Sequence, residues 1–181
     1  MSSKALNLPN LLALFRIALA PLMLWFFIDR NNPIFSSWHP SWFDYFAGLI
    51  FVIASITDFF DGFIARNWNQ MTKLGGILDP LADKMLVLAG FIGLIVIDRA
   101  SAWAVFLILS REFFITGLRV VAVSEGKDVA STMAGKIKTV IQMIAIGFLI
   151  MNWPFATELL WLAVILTIYS GYEYTRDYFK N

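Results

Sequence analysis

Long apolar runs alternate with short polar breaks along the whole chain. Six apolar segments can be marked: Asn10 to Ile28, Tyr45 to Ala65, Asp79 to Ile97, Ala102 to Ser124, Thr132 to Met151 and Phe155 to Tyr174. Each is close to the ~20 residues that a helix needs to cross a bilayer, and backbone hydrogen bonding in lipid favours helices. The pattern predicts an all-α integral membrane protein with six transmembrane helices in one domain, residues 1–181.

The composition agrees with a membrane setting. Hydrophobic residues make up 59% of the chain, charged residues 15%, and the mean hydropathy is +0.71, all outside the range of an ordinary soluble domain. A net charge of +1 without blocks of like charge indicates no nucleic-acid partner. The chain has no Cys, which excludes disulfides and thiolate metal sites. The first apolar run lacks a small-residue cleavage site, so we expect a retained span, not a signal peptide.

Basic residues are distributed unevenly between the two sides of the predicted membrane domain. If the N-terminus is cytoplasmic, only Arg30 and Arg99 of the 14 Lys and Arg residues lie on the outer side. The other 12 lie on the cytoplasmic side or on helix ends that lead to it. This positive-inside bias predicts that the N-terminus and the polar end of the second and third segments face the cytoplasm.

Four carboxylates interrupt this apolar chain: Asp58, Asp61, Asp79 and Asp83. A charge at the bilayer centre costs at least ~2.5–3.5 kcal/mol, so four of them imply a compensating cation. Spacings of three and four residues put each pair on one helical face, about one turn apart. Two such helices facing each other would enclose a polar, metal-binding cavity open to the cytoplasm.

The ligand types favour a hard divalent ion. Four carboxylates, no Cys and a lone His39 on the opposite side suit Mg²⁺ or Mn²⁺ and argue against zinc. Two such ions, ~3.5–4 Å apart, are suited to displacement at phosphorus. Gly62 and Ala65 remove side-chain bulk beside the carboxylates, and Arg66 adds a bidentate phosphate donor. Together these residues predict a diphosphate site.

These residues also carry a family resemblance. Eight fixed residues over 26 positions read Asp58-x2-Asp61-Gly62-x2-Ala65-Arg66-x8-Gly75-x3-Asp79-x3-Asp83. The pattern resembles the complete signature of the CDP-alcohol phosphotransferase family. Three other segments, Leu8-Pro9-Asn10, Arg111-Glu112-Phe113 and Gly135-Lys136-Ile137-Lys138-Thr139, are similar to the family members that make phosphatidylglycerol phosphate. The resemblance covers nearly the whole chain.

The resemblance implies a fold, a reaction and roles for individual residues. It implies a six-helix homodimer in the bacterial cytoplasmic (inner) membrane, among membrane lipids, that transfers a phosphatidyl group from CDP-diacylglycerol to an alcohol and releases CMP. By this resemblance the four Asp residues bind two metal ions, and Asp83 is also the catalytic base. It also assigns the CDP part of the donor to Asn10, Gly62, Arg66 and Thr72. A helix or loop cap is the alternative role for Thr72.

Basic residues beyond the signature bear on the acceptor. Arg111 lies nine residues into its segment, roughly 14 Å along the helix, where it needs an anion. Glu112 points about 100° away on an ideal helix, so we expect that a local pair does not fully explain Arg111. We expect Arg111 to bind the phosphate of glycerol 3-phosphate, together with Arg119, Lys136 and Lys138. Lys136 and Lys138 cannot share a helical face unless the helix starts there.

Several alternatives stay open at this point. Arg111 and Glu112 can form a structural pair across helices, and Arg119, Lys136 and Lys138 can be topology determinants alone. The same chemistry with inositol phosphate or serine as acceptor is the main functional alternative. From other classes, a divalent-cation transporter would not need Gly62 and Arg66 in this register, and an intramembrane prenyltransferase would have two separated Asp-rich motifs.

Overall fold

The described part of the chain folds into six α-helices. The computed structural model describes residues 7–67, 74–126 and 133–180, with the backbone alone at 31 and 59–67. The helices are α1 (Leu8–Ile28), α2 (Ser41–Asn67), α3 (Gly75–Val96), α4 (Ala102–Ser124), α5 (Met133–Ile150) and α6 (Ala156–Lys180). Two short 3₁₀ turns, Asp29–Asn31 and Pro33–Phe35, connect α1 to α2. The described residues contain no β-strand, which confirms the predicted all-α class.

The helix ends follow the apolar runs closely. The fourth segment was predicted without error, and the second and sixth helices extend beyond their apolar runs into polar residues. The Gly75-Gly76 pair forms the first turn of α3, and Asp79 and Asp83 both lie on this continuous helix. The helices form two compact units, residues 1–97 and 98–181. The prediction of a single domain stays a prediction.

In the first unit α1 is the central helix. It packs extensively against both α2 and α3, whereas α2 and α3 contact each other only slightly. Small buried residues, among them Ala13, Ala20 and Ala89, allow these close approaches. Gly93 shows the tightest approach, because a Cβ atom there would lie 2.1 Å from a ring carbon of Phe27. The absence of a side chain at Gly93 therefore lets α3 pack closely against α1 at Phe27.

In the second unit α6 is the central helix and packs against α4 and α5. Its buried face carries the polar residues Thr167, Ser170 and Tyr174 among apolar ones. Arg99, in the turn before α4, donates a 2.5 Å hydrogen bond to the carbonyl of Ile150 at the end of α5. A cation at a helix C-terminus stabilises the exposed carbonyls of the last turn.

The surface of the helices is apolar, as expected of a membrane protein. Large side chains such as Val120, Ile165 and Phe106 are well exposed along the helix faces. By length and composition α1, α5 and the Ser41–Asp58 part of α2 can cross a membrane. Two further helices, α3 and α4, each carry three charged residues within their length. Those charges lower their apolar character.

Candidate active site

Arg16 lies at the centre of a carboxylate cluster in the first unit. Its Nη1 donates hydrogen bonds to Asp58 on α2 and to Oδ1 of Asp83 on α3, the second at 3.1 Å. Its Nη2 lies 3.8 Å from Oδ1 of Asp79, one turn earlier on α3. One arginine of α1 therefore connects the carboxylates of both neighbouring helices.

The members of this cluster differ in their exposure. The side chain of Arg16 is 0% exposed, while those of Asp58, Asp79 and Asp83 are 41%, 39% and 53% exposed. A guanidinium in apolar surroundings is stable only when anions are paired with it, and the three carboxylates supply them. Each carboxylate side chain also keeps part of its surface accessible to a ligand.

The predicted convergence of the carboxylates is observed for Asp58, Asp79 and Asp83. Asp58 and the α3 pair meet through α1, because α2 and α3 barely contact each other directly. Within the described residues, the two acidic helices thus meet mainly through α1, and the site of four carboxylates between them stays a prediction. The apolar pattern does not reveal which helix packs between the other two.

The donor chemistry of the cluster fits a hard divalent cation. All its ligands are carboxylate oxygens, which Mg²⁺ and Mn²⁺ prefer. Among the side chains that the structure describes, no three acidic or imidazole groups surround a common ion position. Asp61, the fourth predicted ligand, lies on α2 with its side chain outside the described residues. The two-metal assignment therefore stays a prediction.

Arg16 was missed as a site residue at the level of sequence. The signal was present, since an arginine six residues into the first apolar segment needs an anion as much as Arg111 does. It lies on the buried stripe of α1 with Asn10, Ala13 and Ala20. Its partners come from helices 42 and 67 residues away in the sequence. No local spacing indicates a partner at such a distance.

Of the four predicted donor-binding residues, Asn10 is the one whose side chain the structure describes. Asn10 lies in the first turn of α1 and is 1% exposed, and its backbone N–H donates to the side chain of the N-cap residue Asn7 at 3.2 Å. Gly62 and Arg66 lie on α2, with their side chains outside the described residues, and Thr72 is outside them entirely. Their assignment to CDP-diacylglycerol stays a prediction.

A second charged cluster lies inside the second unit. Glu112 on α4 accepts hydrogen bonds from its neighbour Arg111, at 3.1 Å, and from Lys138 on α5. The Arg111–Glu112 pair, left open as an alternative at the level of sequence, is therefore present. Although their Cα–Cβ bonds diverge, both side chains are long enough to bend towards each other. Two cations and one carboxylate leave this cluster with one net positive charge.

Arg111 is also held by α6. Its Nη2 donates to the hydroxyl oxygen of Ser170 at 2.9 Å, and Ser170 in turn donates to the Thr167 carbonyl at 3.1 Å. Gly171 leaves room for the arginine, since a Cβ there would lie 3.0 Å from the Arg111 Cγ. The guanidinium is therefore fixed on both sides, by α4 and by α6.

The other predicted acceptor residues lie at different places in this unit. Arg119 is exposed, and its guanidinium carbon lies 5.8 Å from the centre of the Tyr174 ring. Lys136 is exposed, whereas Lys138 is buried, so the two lysines face different directions. This agrees with their two-residue spacing, which places them about 200° apart on a helix. The cluster thus brings together Arg111 and Lys138, but not Lys136.

Comparison with known proteins identifies the class of this protein. The family model for CDP-alcohol phosphatidyltransferase matches residues 6–169. The helical fold and the carboxylate cluster agree with that match, and the chain belongs to the CDP-alcohol phosphatidyltransferase family, a family of membrane-bound enzymes.

Three relatives within this family are similar to the chain over most of its length. A Bacillus subtilis (strain 168) protein named CDP-diacylglycerol--glycerol-3-phosphate 3-phosphatidyltransferase is 42% identical over 188 residues, which cover 93% of both chains. Proteins of the same name from Rickettsia typhi and Escherichia coli (strain K12) are each 37% identical over 93% of this chain. The match covers 94% and 92% of those relatives, respectively. The similarity therefore extends over nearly the whole length of each protein.

Proposed function

We propose that this protein transfers the phosphatidyl group of CDP-diacylglycerol to sn-glycerol 3-phosphate, giving phosphatidylglycerol phosphate and CMP. The observation that carries the proposal is the convergence of three signature carboxylates, from α2 and α3, on Arg16. The relatives bearing this activity in their names support the choice of donor and acceptor.

The reaction is a displacement at phosphorus. A hydroxyl oxygen of the acceptor forms a bond to the phosphorus that bears the lipid, and the bond from that phosphorus to the CMP oxygen breaks. The hydroxyl proton passes to the carboxylate of Asp83, whose 53% exposed side chain is open to a substrate. Arg66 and Gly62 bind and accommodate the donor's phosphates, with Asn10 and Thr72 at the nucleotide end.

The acidic residues also supply the site for the cofactor. We assign two Mg²⁺ or Mn²⁺ ions to Asp58, Asp61, Asp79 and Asp83, because these are hard oxygen ligands with no competing thiolate in the chain. When bound, such ions neutralise the charge on the attacking and leaving oxygens.

The charged cluster of the second unit supports a phosphorylated acceptor. We assign the acceptor's phosphate to Arg111, Arg119, Lys136 and Lys138, with Arg111 as the principal residue. The Arg111–Glu112–Lys138 cluster retains one net positive charge. In addition, the buried Arg111 Nε makes no hydrogen bond within the part of the chain that the structure describes. A buried donor without a partner is costly, so an anionic ligand here would be stabilised.

The basic residues of the chain bear on its orientation in the membrane. We infer that the protein works as a homodimer in a bacterial cytoplasmic membrane, with its N-terminus and active site facing the cytoplasm. The positive-inside distribution of 12 of its 14 basic residues supports this orientation.

Purified protein with CDP-diacylglycerol and a panel of acceptors tests the proposal. CMP release should require a divalent ion and should be fastest with glycerol 3-phosphate. Equal rates with serine or inositol phosphate would overturn the acceptor assignment. Uptake of a divalent ion into vesicles without nucleotide-dependent turnover would point to a transporter instead.

A further inference from the structure

We propose that Arg16 is a positioning residue for the metal-binding carboxylates: its buried guanidinium holds Asp58, Asp79 and Asp83 in the arrangement in which they bind divalent ions. The inference deepens the proposed function and rests on its metal assignment. It assigns a role to α1, a helix that contributes no residue to the acidic motif.

The packing of the three helices around Arg16 supports this positioning role. The acidic helices α2 and α3 both pack extensively against α1, whereas within the described residues they contact each other only slightly, so most of the packing that positions them comes from α1. Arg16 connects the two helices from α1, with Nη1 bonded to both Asp58 and Asp83 and Nη2 facing Asp79. A single planar group therefore sets the relative positions of three side chains.

Burial separates Arg16 from the ligand side of the cluster. Its side chain is 0% exposed, whereas the carboxylates are 39% to 53% exposed. Arg16 bonds to Asp58 and Asp83 from inside the helix bundle, while both carboxylates stay partly exposed. An arginine buried behind partly exposed carboxylates orients them as metal ligands without touching the ion.

Charge supports the role as well. The four signature carboxylates carry four negative charges, and like charges held close together repel each other. A permanently charged guanidinium offsets part of this repulsion, and its planar fork bonds to several oxygens at defined angles. Lysine carries the same charge on a single ammonium group, so Arg16→Lys separates the effect of the charge from that of the planar fork.

Mn²⁺ binding to the purified protein in detergent, followed by electron paramagnetic resonance without lipid substrate, tests the inference. Arg16→Gln should weaken Mn²⁺ binding about 10- to 100-fold, the usual effect of removing a group that orients metal ligands. Arg16→Lys should also weaken binding, by a smaller factor, because it keeps the charge and loses the fork. If Arg16→Gln does not fold, Arg16→Lys carries the test.

Arg30→Gln is the matched control. Arg30 forms a comparable part-buried ion pair with Asp44, with side chains 17% and 14% exposed, in the same unit but away from the acidic cluster. This variant should lose some thermal stability and keep the Mn²⁺ affinity of the wild type, which separates positioning from a general structural role.

Each outcome bears on a distinct claim. Mn²⁺ affinity of both Arg16 variants within about twofold of the wild type, or tighter binding, would overturn the positioning role, because removal of an orienting group typically costs at least tenfold. Equal weakening in Arg30→Gln would also overturn it, since the effect would then be one of general stability. Failure of the wild type itself to bind Mn²⁺ would overturn the metal assignment of the proposed function, and this inference with it.

Discussion

Substituting Gly171 by Ala should impair use of the acceptor without harming the fold. Gly171 lies on α6 beside Arg111, and an added Cβ would lie 3.0 Å from the Arg111 Cγ and 3.2 Å from its Nε. Both distances are shorter than the ordinary contact of 3.4 Å or more. Arg111 would have to move, since the backbone of α6 is held by its own hydrogen bonds.

The size of the effect follows from the contacts of Arg111. A shift of roughly 0.2–0.4 Å restores an ordinary contact distance in a closely packed interior. That shift strains the hydrogen bonds to Glu112 at 3.1 Å and to Ser170 at 2.9 Å, which hold the guanidinium in place. A charged hydrogen bond contributes ~1.5–3 kcal/mol, so losing about half of one corresponds to a three- to tenfold change in binding.

The assay is steady-state CMP release with each substrate varied in turn. For Gly171→Ala we expect the KM for glycerol 3-phosphate to rise three- to tenfold, with little change in the KM for CDP-diacylglycerol. Thermal stability should hold, because replacing a helical Gly by Ala gains about 0.5–1 kcal/mol of backbone entropy. Gly147→Ala on α5 is the control, since a Cβ there meets nothing within 4 Å.

Arg111→Lys completes the test. It keeps the charge and removes the planar fork, so it should weaken glycerol 3-phosphate use at least several-fold in a folded protein. If both variants fold and both keep the wild-type KM for the acceptor, Arg111 does not bind the acceptor's phosphate. Its contacts with Glu112 and Ser170 would then be structural.

Three further predictions concern the base, the donor site and the packing of the first unit. Asp83→Asn should lower turnover 10²–10⁴-fold while CDP-diacylglycerol still binds in the presence of Mg²⁺, and retention of a tenth of the wild-type rate would refute its role as base. Arg66→Ala should raise the KM for CDP-diacylglycerol more than that for the acceptor, by the equivalent of ~1.5–3 kcal/mol, and an effect on the acceptor alone would reassign this arginine. Gly93→Ala should destabilise the protein by ~1–3 kcal/mol in thermal unfolding, because its Cβ overlaps the Phe27 ring; unchanged stability relative to Gly147→Ala would contradict that packing.

The functional residues were predicted best where chemistry and spacing are local. Asp79 and Asp83 are four residues apart on one helix, and any α-helix places them on one face. The two-residue spacing of Lys136 and Lys138 likewise predicted that they diverge, and one is exposed and the other buried. Such relations depend on helix geometry alone.

The pairing of charges was predicted poorly, because it depends on which helices are neighbours. Arg16 bonds to Asp58 and Asp83, 42 and 67 residues away. Glu112 takes Lys138 from α5, 26 residues away, in addition to its neighbour Arg111. Sequence spacing predicts which face of its own helix a side chain lies on, but not which residues of other helices it contacts.

The sequence by itself determined the helices, the membrane setting and the chemical type of the site. Helix ends followed the apolar runs because burial of backbone polar groups in lipid permits little else. The acidic signature predicts a hard-cation site that binds a diphosphate, because carboxylate oxygens are the ligands that such cations prefer. The tertiary structure decided that α1 packs between α2 and α3 and that Arg16 holds their carboxylates together. Close packing of small residues such as Ala13 and Gly93 selects that arrangement, and packing between distant segments leaves no periodic trace in the sequence.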